Sequence, residues 1–265
     1  MMRGILAILL GPLAVCARER AAAPAGVAAT AAFDHEHRAF GALLARHVKD
    51  GMVDYARLAG DARADLDAAL RPFEAVEPAA YAGWSDAQKL AFWLNAYNAY
   101  ALRLVVAHYS VESIRTIGLL PGAAFRTSFI AIRAHGDRGK LSLDDLEQRI
   151  LRKDFHEPRI HFAIVCASKS CPKLRAEPYR AADLDRQLDE QAREFLRDPT
   201  KNRFEVSTRT LRLSRIFDWF GEDFAGEGGL TTFVARYADD AVASELRKGD
   251  VRVAFLDYDW SLNGR

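Results

Sequence analysis

Residues 85–109 read SDAQKLAFWLNAYNAYALRLVVAHY. Ser85 followed three residues later by Gln88 is a capping box, in which the two residues satisfy each other's otherwise orphaned amides at a helix start. The helix it opens is expected to run about 24 residues, with apolar side chains nearly all round rather than on one stripe. Such a helix has almost no solvent face, so it should be central and mostly buried. Asn95 and Asn98, three apart, share one side of it. Asparagine is a poor helix former, and a buried amide costs free energy unless it is hydrogen-bonded. Two readings follow: the pair stitches the helix to a neighbouring loop, or it supplies positioning or oxyanion-type donors to a reaction.

Upstream, Phe33, Phe40, Leu43, Leu44 and His47 fall at helical spacings, and Gly51 ends that helix before a short extended Val53-Asp54-Tyr55. A second helix is expected from Asp61 to Leu70, stopped by Pro72. Downstream, Pro121-Gly122 marks a turn, and residues 125–133 are rich in β-formers, which predicts a strand. Ser142 with Asp145 opens a further helix along Leu143, Leu146, Ile150 and Leu151, and Pro158 breaks it before a predicted strand at 160–165. Residues 182–197 are amphipathic with helical period, 203–206 and 210–213 form a hairpin, 216–220 and 231–237 are helical, and 251–256 is a last strand. Helices and short strands without βαβ alternation predict an α+β fold, a mainly helical single domain (residues 33–265) around a small, mostly antiparallel sheet.

The 265 residues are 50% hydrophobic and 28% charged, an ordinary globular composition. Lysine plus arginine (37) nearly balances aspartate plus glutamate (36), which removes the electrostatic ground for a nucleic-acid partner or a polybasic membrane patch. Residues 1–17, with Arg3 before an apolar Gly4 to Val15, read as a signal peptide, too short to span a bilayer stably. Leu13-Ala14-Val15-Cys16 is an imperfect lipobox, so simple export competes with a lipid anchor at Cys16. Alanine-rich residues 18–32 read as a disordered linker. The protein is therefore expected to be exported, periplasmic or secreted, which leaves Cys166 and Cys171 in an oxidising compartment where a disulfide competes with a catalytic thiol.

Those cysteines sit in IHFAIVCASKSCP, residues 160–172. In a regular strand His161 and Cys166 would lie about 16 Å apart on opposite faces, which argues against their being base and nucleophile. The four residues between Cys166 and Cys171 can turn back to bring the α-carbons within the about 4.4 to 6.8 Å that a disulfide needs. A catalytic Cys171 would need His108, His135 or His156 as its base. A zinc site built from His156, His161, Cys166 and Cys171 fails because strand geometry points the ligands apart. Glu147 and Arg152 on the preceding helix, and Asp257 and Asp259 near the end of the chain, read first as ion-pair or capping partners.

GMVDY (51–55), AFWLNAYNAYAL (91–102), SIRTIG (113–118), LSLDDLEQRILR (141–152), PRIHFAIVCASKSCPKLR (158–175), LSRIFDWFGEDF (213–224) and YDWSLN (258–263) together resemble, in order, the domain of unknown function 547 family. Bacterial members of that family look like exported proteins of this size, and plant members carry similar domains beside leucine-zipper segments and are described as partner-binding factors. The resemblance places Asn95, Asn98, Glu147, Arg152, His161, Cys166, Ser168, Cys171 and Asp259 in signature segments without giving any of them a role. Gln148 departs from the histidine common at that position.

Three hypotheses follow. In the first, the chain is a thiol-dependent hydrolase or acyltransferase acting on an amide or peptide, with Cys171 or Cys166 as nucleophile, a histidine such as His161 as base, and Asn95, Asn98 and Glu147 as the remaining site residues; the analogy is to papain- or transglutaminase-like enzymes, and no cofactor or metal is called for. In the second, it is a non-catalytic binding or scaffold domain for a small-molecule or peptide ligand, with Cys166 and Cys171 in a structural disulfide. In the third, less favoured because the spacing is not Cys-X-X-Cys, the pair performs redox exchange. A sulfur in an open cleft beside an imidazole favours the first; bonded and buried sulfurs oppose it.

Overall fold

A computed structural model describes residues 32–120, 122–136 and 139–265. The expectations for residues 1–17 and for the linker up to residue 31 lie outside these described residues. The elements in chain order are α1 (Arg38–His47), β1 (Val48–Lys49), β2 (Met52–Val53), α2 (Tyr55–Ala59), α3 (Arg63–Glu74), α4 (Pro78–Ala82), α5 (Asp86–Ala107), α6 (Ala123–Arg126), a π-helical segment (Asp145–Leu151) that continues into α7 (Arg152–Phe155), α8 (Ile160–Ala163), α9 (Leu184–Arg197), β3 (Arg203–Glu205), β4 (Thr210–Leu213), α10 (Ile216–Trp219), a 3-10 segment (Gly221–Glu227), α11 (Leu230–Tyr237), α12 (Asp240–Arg247) and β5 (Arg252–Phe255). The fold is α+β and mainly helical: β1 and β2 pair antiparallel, and β4 pairs antiparallel with β3 and parallel with β5.

The central element is α5. Its capping box is closed in both directions, with the Gln88 amide donating to Ser85 Oγ at 3.2 Å and the Ser85 amide donating to Gln88 Oε1 at 2.9 Å. From Leu90 to Leu102 every side chain is buried, and α2, α3 and the π-helical segment pack around it. A second core gathers Phe162, Phe195, Phe217, Phe224 and Phe233 between α8, α9, α10 and α11. The α8 turn lies at the seam, with Phe162 stacked on Phe195 at 5.1 Å on one side and Ile160 and Ala163 in the larger core on the other.

Three sequence expectations are corrected. Pro72 does not stop α3: the helix runs on to Glu74, because burial of Phe73, which is 1% exposed, offsets the loss of one backbone hydrogen bond. Residues 125–133 form no strand; α6 is a helical turn, and pairing is confined to an isolated bridge between Ile130 and Leu141. The β-branched Ile130 and Ile132 are there because they are fully buried. Residues 160–163 are a helical turn, started by Pro158, whose carbonyl accepts from the His161 amide at 3.3 Å. Three short helices, α2, α4 and α12, went unpredicted, α2 beginning at Tyr55, where an extended segment is expected from sequence.

Candidate functional site

Because 160–163 is helical, the alternation that would separate His161 from Cys166 does not apply. Both side chains line one cavity of about 190 Å³, together with Cys171, Glu147, Tyr97 and Tyr258. His108, His135 and His156 do not line it. His108 is spent on the Leu104 carbonyl at 2.9 Å and His135 on Asp154 at 2.9 Å.

His161 is 2% exposed and held from two directions. Its ring stacks on Phe220 at 4.2 Å, and Nε2 lies 2.7 Å from Asp223 Oδ2. Arg152 grips the same carboxylate in bidentate fashion, Nε to Oδ2 at 2.7 Å and Nη2 to Oδ1 at 2.8 Å. Burial raises the Asp223 carboxyl, but hydrogen bonds from Arg152 and His161 outweigh it and hold the group far below the usual carboxylate range. An ionised Asp223 only accepts, so Nε2 of His161 carries the proton and donates it. Burial also pushes the His161 imidazole down, more than Asp223 pulls it up, so the ring is neutral at neutral pH. The remaining nitrogen, Nδ1, then carries a lone pair, and the carboxyl of Glu147 lies 4.0 Å from it.

Glu147 sits in the π-helical segment, a winding that recurs at functional sites. Burial, reinforced by the charges of Asp144 and Asp223 and opposed by Arg152, lifts its carboxyl from 4.5 to about 7. A carboxyl raised to about 7 beside a neutral imidazole on one cavity wall can exchange a proton with it.

The sulfurs are bonded to each other, with α-carbons 6.3 Å apart. Cys171 is buried and Cys166 half-buried. Around them, the Cys166 amide donates to Cys171 Sγ at 3.0 Å. The Tyr258 hydroxyl lies 3.2 Å from Cys171 Sγ and 3.4 Å from Cys166 Sγ, and the Ser168 hydroxyl lies 3.3 and 3.2 Å from them. The terminal segment YDWSLN straps this loop: Lys169 and Ser170 amides donate to the carbonyls of Ser261 and Asp259, and the Asn263 amide donates to that of Ala167. Asp259 itself accepts from the Ser261 amide and hydroxyl, which closes an Asx turn rather than capping a helix. Asn263 in turn accepts from the Tyr55 hydroxyl at 2.8 Å, so GMVDY anchors the strap from the other end of the chain.

Asn95 and Asn98 do not line the cavity. Asn98 accepts from the Val165 amide at 2.9 Å and donates to the Ala163 carbonyl at 3.0 Å; Asn95 closes the same pair of bonds with the amide and carbonyl of Tyr179, at 2.9 and 2.8 Å. Each amide therefore pins a loop to α5, and Asn98 fixes the turn between His161 and Cys166.

Sequence reasoning had not singled out Asp223, Phe220 or the aromatic rim formed by Trp219, Tyr258 and Trp260, whose rings lie 4.6 to 5.6 Å apart. These residues fall inside the quoted motifs LSRIFDWFGEDF and YDWSLN, but nothing in their spacing points to His161. No curated protein and no solved structure matches the chain. Residues 81–196, which carry Asn95, Asn98, Glu147, Arg152, His161, Cys166 and Cys171, match the model of the family described as protein of unknown function, DUF547.

Proposed function

We propose that the cavity is the active site of a thiol-dependent hydrolase or acyltransferase that works in its reduced form. Its substrate is an amide or peptide whose apolar part sits on the Trp219, Tyr258 and Trp260 rim. The observation that carries this reading is the Asp223–His161 pair, which fixes the tautomer and leaves Nδ1 unprotonated beside Glu147 in the cavity that the two sulfurs line. Once the disulfide is opened, Cys166, the more exposed sulfur, attacks the carbonyl. His161 takes the thiol proton at Nδ1, and the leaving amine takes a proton from the imidazolium or from the protonated Glu147 as its bond to the acyl carbon breaks. Export of the chain, with residues 1–17 as leader, would hold the resting protein in the bonded state.

The test is acylation by a p-nitrophenyl ester, followed by intact mass with and without prior reduction by a dithiol. The reduced protein should gain one acyl group, mapped to Cys166, and lose it slowly to water or to an added amine. His161→Ala should abolish the adduct, and the unreduced protein should form none. Equal labelling of the reduced wild type and of His161→Ala would sink the reading.

A second reading rests on the bonded sulfurs themselves: a binding domain in which the disulfide is structural and the cavity holds a small molecule or peptide without chemistry. It requires that reduction neither creates an acyl adduct nor exposes a thiol in the native fold.

A further inference from the structure

The two ends of the disulfide are not equivalent. Cys166 is the half-buried residue of the pair and Cys171 is 3% exposed, and both line the cavity. The backbone amide of Cys166 is aimed at Cys171 Sγ at 3.0 Å. The Tyr258 hydroxyl is nearer to Cys171 than to Cys166, and burial pushes its phenol up, so it remains a donor across the physiological range. A disulfide sulfur is a weak acceptor and gains little from such donors, whereas a thiolate gains from each of them. The Tyr258 and Ser168 hydroxyls are within reach of both sulfurs, so the asymmetry rests on the Cys166 amide, aimed at Cys171 Sγ, which adds a third donor for a charge that appears only when the bond breaks.

We propose that Cys166–Cys171 is an exchange-active disulfide with a fixed polarity, opened by an incoming thiolate that attacks Cys166 Sγ and expels Cys171 as the thiolate. The chemistry balances with a low-molecular-weight or protein dithiol as co-reactant. Its first sulfur forms a mixed disulfide with Cys166 as the Cys166–Cys171 bond breaks, and the electron pair of that bond leaves on Cys171. The second thiolate of the dithiol then attacks the mixed disulfide and releases Cys166, so the protein is reduced by two electrons and the dithiol is oxidised to its own disulfide. The leaving sulfur is the stabilised one, and a better-stabilised leaving thiolate departs faster. Both residues line the cavity, and Cys166 is the less buried of the two, which favours approach at its sulfur. This activity requires neither His161 nor an acyl substrate, so it stands apart from the acyl-transfer reading.

The experiment uses the full oxidised protein and glutathione as a monothiol, which lacks the second thiol that would resolve the mixed disulfide within one molecule. After a brief reaction the remaining thiol is alkylated with iodoacetamide and both cysteines are mapped by peptide mass. Glutathione on Cys166 and carbamidomethyl on Cys171, at a rate at least tenfold above that of a linear CASKSC peptide disulfide, is the expected result. Glutathione on Cys171, an even mixture, or a rate no faster than the peptide's would overturn the proposal. Tyr258→Phe removes one donor and keeps the ring, and should slow the exchange about tenfold, as the loss of one hydrogen bond to a charged group would. The wild-type mapping decides the polarity even if that variant does not fold. Fast, polar exchange without any acyl adduct would retain this inference and reject the acyl-transfer reading; the reverse outcome would do the opposite.

Discussion

The sharpest physical commitment of the site is the protonated Glu147. Its carboxyl is raised from 4.5 to about 7, first by burial and then by the charges of Asp144 and Asp223, against the pull of Arg152. Between these two values the folded protein binds a proton that the unfolded chain releases. Stability therefore falls as the pH rises from about 4.5 through about 7, and the penalty is fully present above that range. At 1.36 kcal/mol per tenfold, the cost of ionising Glu147 in place reaches about 3 kcal/mol. Glu147→Gln keeps the shape of the protonated acid and cannot ionise. With the disulfide intact in both proteins, urea unfolding at pH 4 should give nearly equal stabilities, and by pH 8 the variant should be more stable by about 2 to 3 kcal/mol, with the difference growing between pH 4.5 and 7. Titrations of His161 and Asp223 occur in both proteins and cancel to first order. A difference that does not change with pH, or that favours the wild type as pH rises, would refute the reasoning.

Asn98→Ala strands the buried Val165 amide and Ala163 carbonyl, and should lower stability in a urea melt by about 2 to 4 kcal/mol; a loss under about 1 kcal/mol would mean that water reaches the turn. Asp223 lies below its usual range in the folded state, so its contribution is present above 3.8 and is lost as the pH falls toward the folded value. The wild type should accordingly lose its advantage over Asp223→Asn in acid denaturation below about pH 4, and parallel acid curves would contradict the Arg152 and His161 assignments. Trp219 is 44% exposed at the rim, and Trp219→Ala should leave the unfolding free energy from a urea melt within about 0.5 kcal/mol of wild type while raising KM for the ester probe several-fold; an unchanged KM would remove the rim from the substrate path.

Elements whose signal is local were readable from sequence. The α5 capping box, the amphipathic α9 and the β3–β4 hairpin all lie where periodicity and turn chemistry put them, because each is decided by residues within a few positions of one another. Two of the failures share a cause. Residues 125–133 and 160–165 are rich in isoleucine, valine and phenylalanine, and that composition is equally what burial in a core requires. In IHFAIV the wrong period had a functional consequence, since a two-residue alternation separates His161 from Cys166 and a helical turn lets both reach the cavity. Asn95 and Asn98 were legible as a constraint, since buried amides must find partners, but which backbone they hold, at Tyr179, Ala163 and Val165, is set by contacts 65 to 84 residues away.

The same reasoning bears on how much chain the site needs. The family match ends at residue 196, yet the group that orients His161 is Asp223, and the hydroxyl nearest Cys171 Sγ is that of Tyr258. The loop from Cys166 to Cys171 is held by carbonyls of 259 and 261, and that strap is tied in turn to Tyr55 and Gly51 through Asn263. Residues 81–196 alone thus carry His161 and the sulfurs without Asp223, the strap or the Tyr258 hydroxyl. In such a fragment Asp223 would no longer pin His161 at Nε2, so the imidazole could take up either tautomer. Arg152 would also lose the carboxylate that compensates its burial. The hydrogen-bonded chain from Arg152 through Asp223 to His161 ties the seam between the two cores to the cavity, which makes the proton state of Nδ1 a property of the whole segment from Gly51 to Asn263.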